Sequence, residues 1–197
     1  MAKAAGSGEA QQPPVRERLI LAGIDEINQY GIQNFSVRRV ATVCGVSCAA
    51  PYKHFKDKSA FFAAIILYIN DMWSERHARV LRESAPNVRA RLVSVSMEYI
   101  RFLVENPHFR SVIMLKDEAF DKTHARIRGE ISASTRNLIG AYCQSVDMPP
   151  DVRVRKTFVV RSLIYGASLL FDNGELAYTE ENLAMVAANI DREFDLP

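Results

Sequence analysis

Apolar residues recur along most of this 197-residue chain at three- and four-residue intervals, the period of a helix with one buried face. The first run turns Leu19, Gly23, Ile24, Ile27 and Tyr30 inward. It stops at Gly31, a residue suited to the position just past a helix. Pro13 and Pro14 precede it, where proline is tolerated. Ser36 is a good N-cap for a short helix from Val37 to Val43. Cys44-Gly45-Val46 reads as a tight turn, with glycine available for positive φ. Ser47 caps a third predicted helix, Cys48 to Phe55. Asp57 or its neighbour caps a long fourth, carrying Phe61, Phe62, Ile65, Ile66, Ile69, Met72 and Trp73 toward Arg82.

After Pro86 the periodicity resumes with Leu92, Val95, Tyr99, Phe102 and Leu103. Asn106-Pro107 ends that helix, because the residue before proline is pushed out of the α region. Phe109 to Leu115 reads as a short apolar helix, and Lys122 to Val146 as another. Met148-Pro149-Pro150 is a break. Val152 to Phe171 forms a long helix ended by Asn173-Gly174. Leu183, Val186, Ala187, Ile190 and Phe194 trace the last one. No stretch alternates as a strand does. The expectation is an all-α fold of roughly nine helices.

Composition adds little until it is resolved along the chain. The net charge is only +2, but residues 36–58 hold Arg38, Arg39, Lys53, Lys56 and Lys58 against Asp57 alone. A compact basic patch on a near-neutral body is the footprint of a phosphate-binding surface; a solvated charged face is the alternative. Arg16 and Arg18 stand at the start of the first helix, where cations oppose its dipole. A nearby phosphate would offset that cost, as would simple solvation. No apolar run reaches the ~20 residues of a membrane span. The start, MAKAAGSGEAQQPP, lacks the apolar centre of a signal peptide, so a cytoplasmic location is expected.

Cys44, Cys48 and Cys143 show no zinc spacing and are read as reduced thiols. The four-residue separation of Cys44 and Cys48 leaves a thiol-based redox switch as an alternative. His77, His108 and His124 have no partner spacing, so no metal is expected. No nucleophile elbow, Gly-rich phosphate loop or paired carboxylate motif occurs; neither enzymatic activity nor a cofactor is expected.

The most informative segment is GIQNFSVRRVATVCGVSCAAPYKHFKDKSAFF, residues 31–62. It places two short helices about a glycine turn, after a longer amphipathic helix. Val37, Val40, Ala41, Val46, Tyr52 and Phe55 are positioned to close a small core. A helix-turn-helix lays its second helix in the DNA major groove while the first crosses the backbone. The small side chains of Cys48-Ala49-Ala50-Pro51 would let that second helix approach base edges closely, and Pro51 sits at the limit of its first turn.

This segment resembles the DNA-binding domain of the TetR family of repressors. The resemblance rests on Gly31, Phe35-Ser36-Val37, Val40-Ala41, Gly45-Val46-Ser47, Tyr52, His54-Phe55, Lys58 and Phe62, in order and in spacing. It implies a homodimer on a palindromic operator in double-stranded DNA. By the family pattern Ser36, Val37 and Arg38 open the helix that meets the backbone. Ser47, Tyr52, His54 and Lys58 would contact phosphates, and Cys48, Ala49, Ala50 and Lys53 would face bases. Cys44 stands where the family usually has alanine, and Arg39 at a commonly neutral position. The domain layout implied is a disordered tail (1–12), a helix-turn-helix domain (13–57) and an effector-binding and dimerisation domain (58–197).

Residues 90–175 resemble, more loosely, the C-terminal domain of one TetR branch. The matching pieces are Glu98 to Phe102 through Asn106-Pro107, Phe109 to Met114, and Leu163 to Leu170 with Gly174. The Val152–Phe171 helix is apolar on more than one face, so it is expected to be buried nearly all round, one face on its own core and one on a twin. Leu163, Gly166, Ala167 and Leu170, with Leu183, Val186 and Ile190 of the last helix, are the expected dimer contacts. Trp73, Met97, Phe102, Phe109, Met114, Phe158 and Tyr165, with Tyr68, are candidate linings for a small-molecule effector; plain core is the alternative. Arg161, set in the apolar helix, could pair with an anionic ligand or with an internal acid. The function read from the sequence is a repressor released from its operator by a small apolar effector. An all-α carrier or enzyme, and an unspecific architectural binder, are the other classes.

Overall fold

The structure is a computed structural model and describes residues 13–114, 129–130 and 133–195, except the side chains of Ser111 and Met114. The expected disordered tail, Leu115, the start of the helix expected from Lys122, and His124 lie outside the described residues. Eight α-helices occur within them, with no strand: α1 (Val15–Tyr30), α2 (Val37–Val43), α3 (Lys58–Glu83), α4 (Val88–Glu105), α5 (Pro107–Met114), α6 (Ala133–Ser145), α7 (Pro150–Asp172) and α8 (Glu180–Arg192). No described helix is long and apolar enough to cross a membrane.

The helix ends follow local chemistry. Four orphan N–H groups open every helix, and side chains satisfy some of them here. Arg39 N–H donates to Ser36 Oγ at 3.3 Å, Ala60 N–H to Asp57 Oδ1 at 2.8 Å, and Ala90 N–H to Asn87 Oδ1 at 3.0 Å. Gly31 ends α1 at φ 74°, its N–H donating to Ile27 O at 2.8 Å.

The first three helices make a small core. Leu19, Ile20, Ile24 and Ile27 of α1 meet Val40 and Ala41 of α2, and Phe61, Phe62 and Ile65 from the first turns of α3. Phe55 stacks on Phe61 at 4.1 Å between ring centres, and Phe35 meets Phe61 edge-on at 5.4 Å. Gly23 lets α1 and α3 approach. A Cβ there would stand 2.9 Å from Ile65 Cδ1 and 3.3 Å from the Phe61 ring. Tyr30, expected inward, is exposed, as is Tyr52. Each keeps its ring at the rim of a core already filled by phenylalanines.

α3 is 26 residues long, about 39 Å at the helical rise, and carries the chain from this head into the body. There α4 is the hub, packed by α3, α6, α7 and α8. Its Leu92, Val95, Ser96, Met97, Tyr99, Ile100, Phe102 and Leu103 are all buried. The sequence predicts for α7 one face on the protomer's core and one on a twin. α7 buries Lys156, Val160, Ile164, Ala167, Ser168 and Phe171 on one face and exposes Val154, Phe158, Leu169 and Leu170 on the other. Both helices are apolar round most of their surface, and periodicity alone does not rank them.

Charged residues tie the last helix down. Arg89, in the first turn of α4, donates to Asp191 Oδ1 at 2.5 Å and to Asp195 Oδ1 at 2.7 Å. Fully buried Lys156 donates to Glu193 O at 2.6 Å and pairs with its carboxylate at 3.3 Å. A buried ammonium is tolerated only with such partners.

Candidate nucleic-acid interface

The frame of the helix-turn-helix is built from backbone bonds and one buried acid. α2 ends at Cys44, and Gly45 turns the chain at φ 66°. Val46 N–H then reaches back to Ala41 O at 3.0 Å. Arg18 of α1 donates to Cys44 O, and the Cys44 thiol donates to Arg18 O at 3.4 Å, so α1 grips the turn reciprocally. Arg16 lies over the Phe55 ring at 5.7 Å. Both arginines therefore have partners within the head, beyond the simple phosphate or solvent roles open to them in sequence.

The predicted third helix is shorter and tighter than expected. Residues 48–50 form a turn and Pro51–Lys53 a single 3-10 segment. Ala50 N–H donates to Ser47 O at 2.9 Å, Lys53 to Ala50 at 3.1 Å, and His54 to Pro51 at 3.0 Å, all over three residues. Pro51 explains this. It has no N–H for the Ser47 carbonyl four residues back, and its ring excludes a close approach of that carbonyl. The Ala50 N–H takes it instead.

Along this segment Ser47, Cys48, Ala49, Tyr52, Lys53 and His54 are exposed, and Ala50 is half-buried. Tyr52 leaves 59% of its surface accessible, so the core role open to it in sequence goes to Phe55. Ser36 and Val37 are half-buried at the start of α2, and Arg38 is exposed beside them. Lys58 opens α3 with its ammonium 5.8 Å from the centre of Phe35 and 5.4 Å from that of Phe62. The ammonium thus lies over two rings of the head while the residue as a whole stays exposed.

Arg39 belongs to the frame. Its Nε donates to Glu26 Oε1 at 2.8 Å, Nη2 donates to the same oxygen, and Nη2 reaches Asn34 O at 2.6 Å. The guanidinium lies 4.2 Å from the centre of the Tyr30 ring. The Glu26 hydrogen bond pushes the Arg39 pKa further up. Glu26 itself is only 6% exposed and also accepts the Ser36 backbone N–H at 3.0 Å. Sequence reading missed this acid. Its one available signal was position: Glu26 lies between Gly23 and Ile27 on a face otherwise apolar.

Subtracting Arg39 leaves Arg38, Lys53, Lys56 and Lys58 exposed on one small, braced unit, with His54 among them. Asp57, the local acid, is turned onto the α3 N-terminus. Such a surface offers cations, hydroxyls and small side chains to a polyanion without reorganising. Cys44 is a poor candidate for redox sensing: burial pushes its thiol up, against the opposing pull of Arg18, and a reactive cysteine needs the thiolate.

The effector candidates do not come together around one cavity. Trp73, Phe102 and Phe109 are buried and packed directly on each other, Trp73 to Phe102 at 5.6 Å and Phe102 to Phe109 at 5.8 Å. Tyr68 is half-buried against the core. Met97 borders a groove of about 720 Å³ between α3, α4 and α8. Phe158 is 71% exposed and lines a separate groove of about 470 Å³ with Val154, Thr157, Arg161, Ser162 and Tyr165. The Met114 side chain lies outside the described residues. Among the expected dimer contacts, Ala167, Leu183, Val186 and Ile190 are buried within the protomer, because α7 and α8 turn those residues onto α4. Leu163 and Gly166 are half-buried and Leu170 is exposed.

Comparison with known proteins places these features. Residues 19–65 match the model of bacterial regulatory proteins of the tetR family. A TetR family transcription regulator from Marinobacter aquaeolei VT8 superposes with a TM-score of 0.71 at 19% identity, over 91% of this chain and 94% of that one. A tetR-family regulatory protein from Rhodococcus RHA1 gives 0.71 at 19%, over 92% and 97%. Mycobacterium smegmatis AmtR gives 0.65 at 21%, over 96% and 91%. At these identities the likeness to solved structures is one of fold.

Proposed function

We propose, from the premise that this chain is a TetR-family transcriptional regulator, that it acts as a homodimeric repressor released from a palindromic operator by a small effector. The observation that carries the reading is the separation of the basic patch into a lock and a contact surface. Arg39 is spent on Glu26, while Arg38, Lys53, Lys56 and Lys58 remain exposed beside the small residues 48–50. Ser36, Val37 and Arg38 open the helix that meets the DNA backbone. Ser47, Tyr52, His54 and Lys58 contact phosphates, and Cys48, Ala49, Ala50 and Lys53 face bases. In a tightly wound 47–54 segment these groups project from little more than one turn, so each head reads few base pairs and two heads are needed for specificity.

The second head comes from a twin packed along α7 and α8. Leu169, Leu170 and Met185 are exposed apolar residues there, and a Cβ built on Gly166 meets nothing within 4 Å, which leaves room for a close helix. Exposed apolar clusters of this kind mark partner surfaces. The effector acts by favouring a spacing of the heads other than the ~34–36 Å of one DNA turn. Selection of bound duplexes from a random pool tests this function. Enrichment of an inverted repeat is the expected result; a pool that stays random after repeated rounds contradicts it.

A further inference from the structure

Arg161 of α7 is a half-buried guanidinium without an acid. Among the described residues no carboxylate pairs with it, and its Nε is covered and makes no hydrogen bond. Its guanidinium lies over the face of Tyr165, 5.9 Å from the ring centre. Most other interior-facing cations of the body are answered. Arg89 has Asp191 and Asp195, Arg110 has Asp172, Lys156 has Glu193, and Arg76 has Glu98 and Glu105. A guanidinium presents a planar fork that matches a carboxylate in two hydrogen bonds. Leaving it partly desolvated and unanswered is costly.

The surroundings limit what could answer it. Arg161 lines the groove of about 470 Å³ together with Val154, Phe158 and Tyr165. That volume is in the range of small-molecule sites, about 300–1,000 Å³. Phe158, on the same wall, is largely exposed, an apolar ring with nothing of the described chain upon it. At the inner end Tyr165 faces Tyr99, hydroxyl to hydroxyl at 3.5 Å, a long contact that a competing acceptor could replace.

We infer that this groove binds a small organic carboxylate, its anion on Arg161 with the Tyr165 hydroxyl beside it and its apolar body against Val154 and Phe158. The inference rests on the reading of the chain as an effector-responsive regulator and narrows the effector from apolar to apolar-anionic. Trp73, the single tryptophan, packs 4.8 Å from Tyr99, which meets Tyr165 at 6.2 Å, so occupancy is within reach of an intrinsic reporter.

The test uses the full chain and benzoate, phenylacetate and octanoate, each beside the matching alcohol. Binding is followed by calorimetry and Trp73 fluorescence. At least one acid is expected to bind more tightly than its alcohol. Arg161→Gln should weaken that acid on the order of tenfold to a hundredfold, the worth of a charged hydrogen bond, and leave the alcohol unchanged. Equal binding of acid and alcohol, or unchanged acid affinity in Arg161→Gln, overturns the inference. So does absence of binding by all three acids, or an Arg161→Gln protein whose only change is its sedimentation, which would make the groove a contact between copies. Operator retention is measured separately. If an acid binds through Arg161 but does not alter operator affinity, the site stands and the effector reading falls. If a neutral compound releases the operator equally from Arg161→Gln, the reading stands and this inference falls.

Discussion

Glu26 holds Arg39 across the α1–α2 junction, accepting its Nε at 2.8 Å while also accepting the Ser36 backbone N–H at 3.0 Å. One buried carboxylate therefore positions the first residues of α2, the candidate backbone contacts. Arg39→Ala leaves Glu26 desolvated with only the N–H of Ser36, and should lower stability. Glu26→Ala frees the Ser36 N–H but should cost less, because the released Arg39 is exposed and regains water, whereas Arg39→Ala strands a buried charge. Chemical denaturation measures both. Operator affinity should fall for Arg39→Ala with the slope of log affinity against log salt unchanged, because Arg39 releases no counterion. Arg38→Ala should reduce that slope by about 1 per head, near 2 for the dimer, with little loss of stability.

The proposed dimer rests on side chains the protomer does not use. Leu170→Glu with Met185→Glu should give a monomer by sedimentation equilibrium, with little change in secondary structure, since both side chains are exposed. A buried like-charge pair across the two-fold would add to the loss of apolar contact. Operator affinity should fall steeply with dimerisation. A double variant that still sediments as a dimer would refute α7 and α8 as the interface.

The C-terminal clasp gives the fold an acid limit. The Arg89 hydrogen bond holds the Asp195 carboxyl below its ordinary range, in spite of a smaller opposing push from desolvation. A group whose folded pKa is depressed adds stability above its unfolded value, about 4, and loses it as pH falls through the lower folded value. The thermal midpoint should therefore drop as pH falls below about 4. Asp195→Asn should start lower at neutral pH and decline less steeply. Because Asp195 is exposed, salt should shrink the difference.

Much of this was legible in the chain. Ser36, Asp57, Gly31 and Gly45 act as the turn and cap residues their types suggest, and Asn106-Pro107 separates α4 from α5. Local chemistry decides such positions, and it is written locally. Three things were not legible. Pro51 allowed a first-turn reading of an α-helix, but the missing N–H tightened the segment into a 3-10 turn. Leu183, Val186 and Ile190 form an apolar stripe that fits a twin or a core equally well, and the packing of α8 on α4 settled it. Glu26 and Arg39 are separated by thirteen residues, and only the fold brings an acid on α1 to a cation on α2.

The contact surface itself is tested most directly by the salt dependence of operator binding in Lys53→Ala with Lys58→Ala. Both lysines are exposed, so the variant should keep its fold. Removing one phosphate contact (Lys58) and one base-facing cation (Lys53) from each head should weaken binding and lower the slope of log affinity against log salt by about 1 per head, near 2 for the dimer. An intact slope, with the wild-type affinity, would contradict the assignment of this head as the surface that meets DNA.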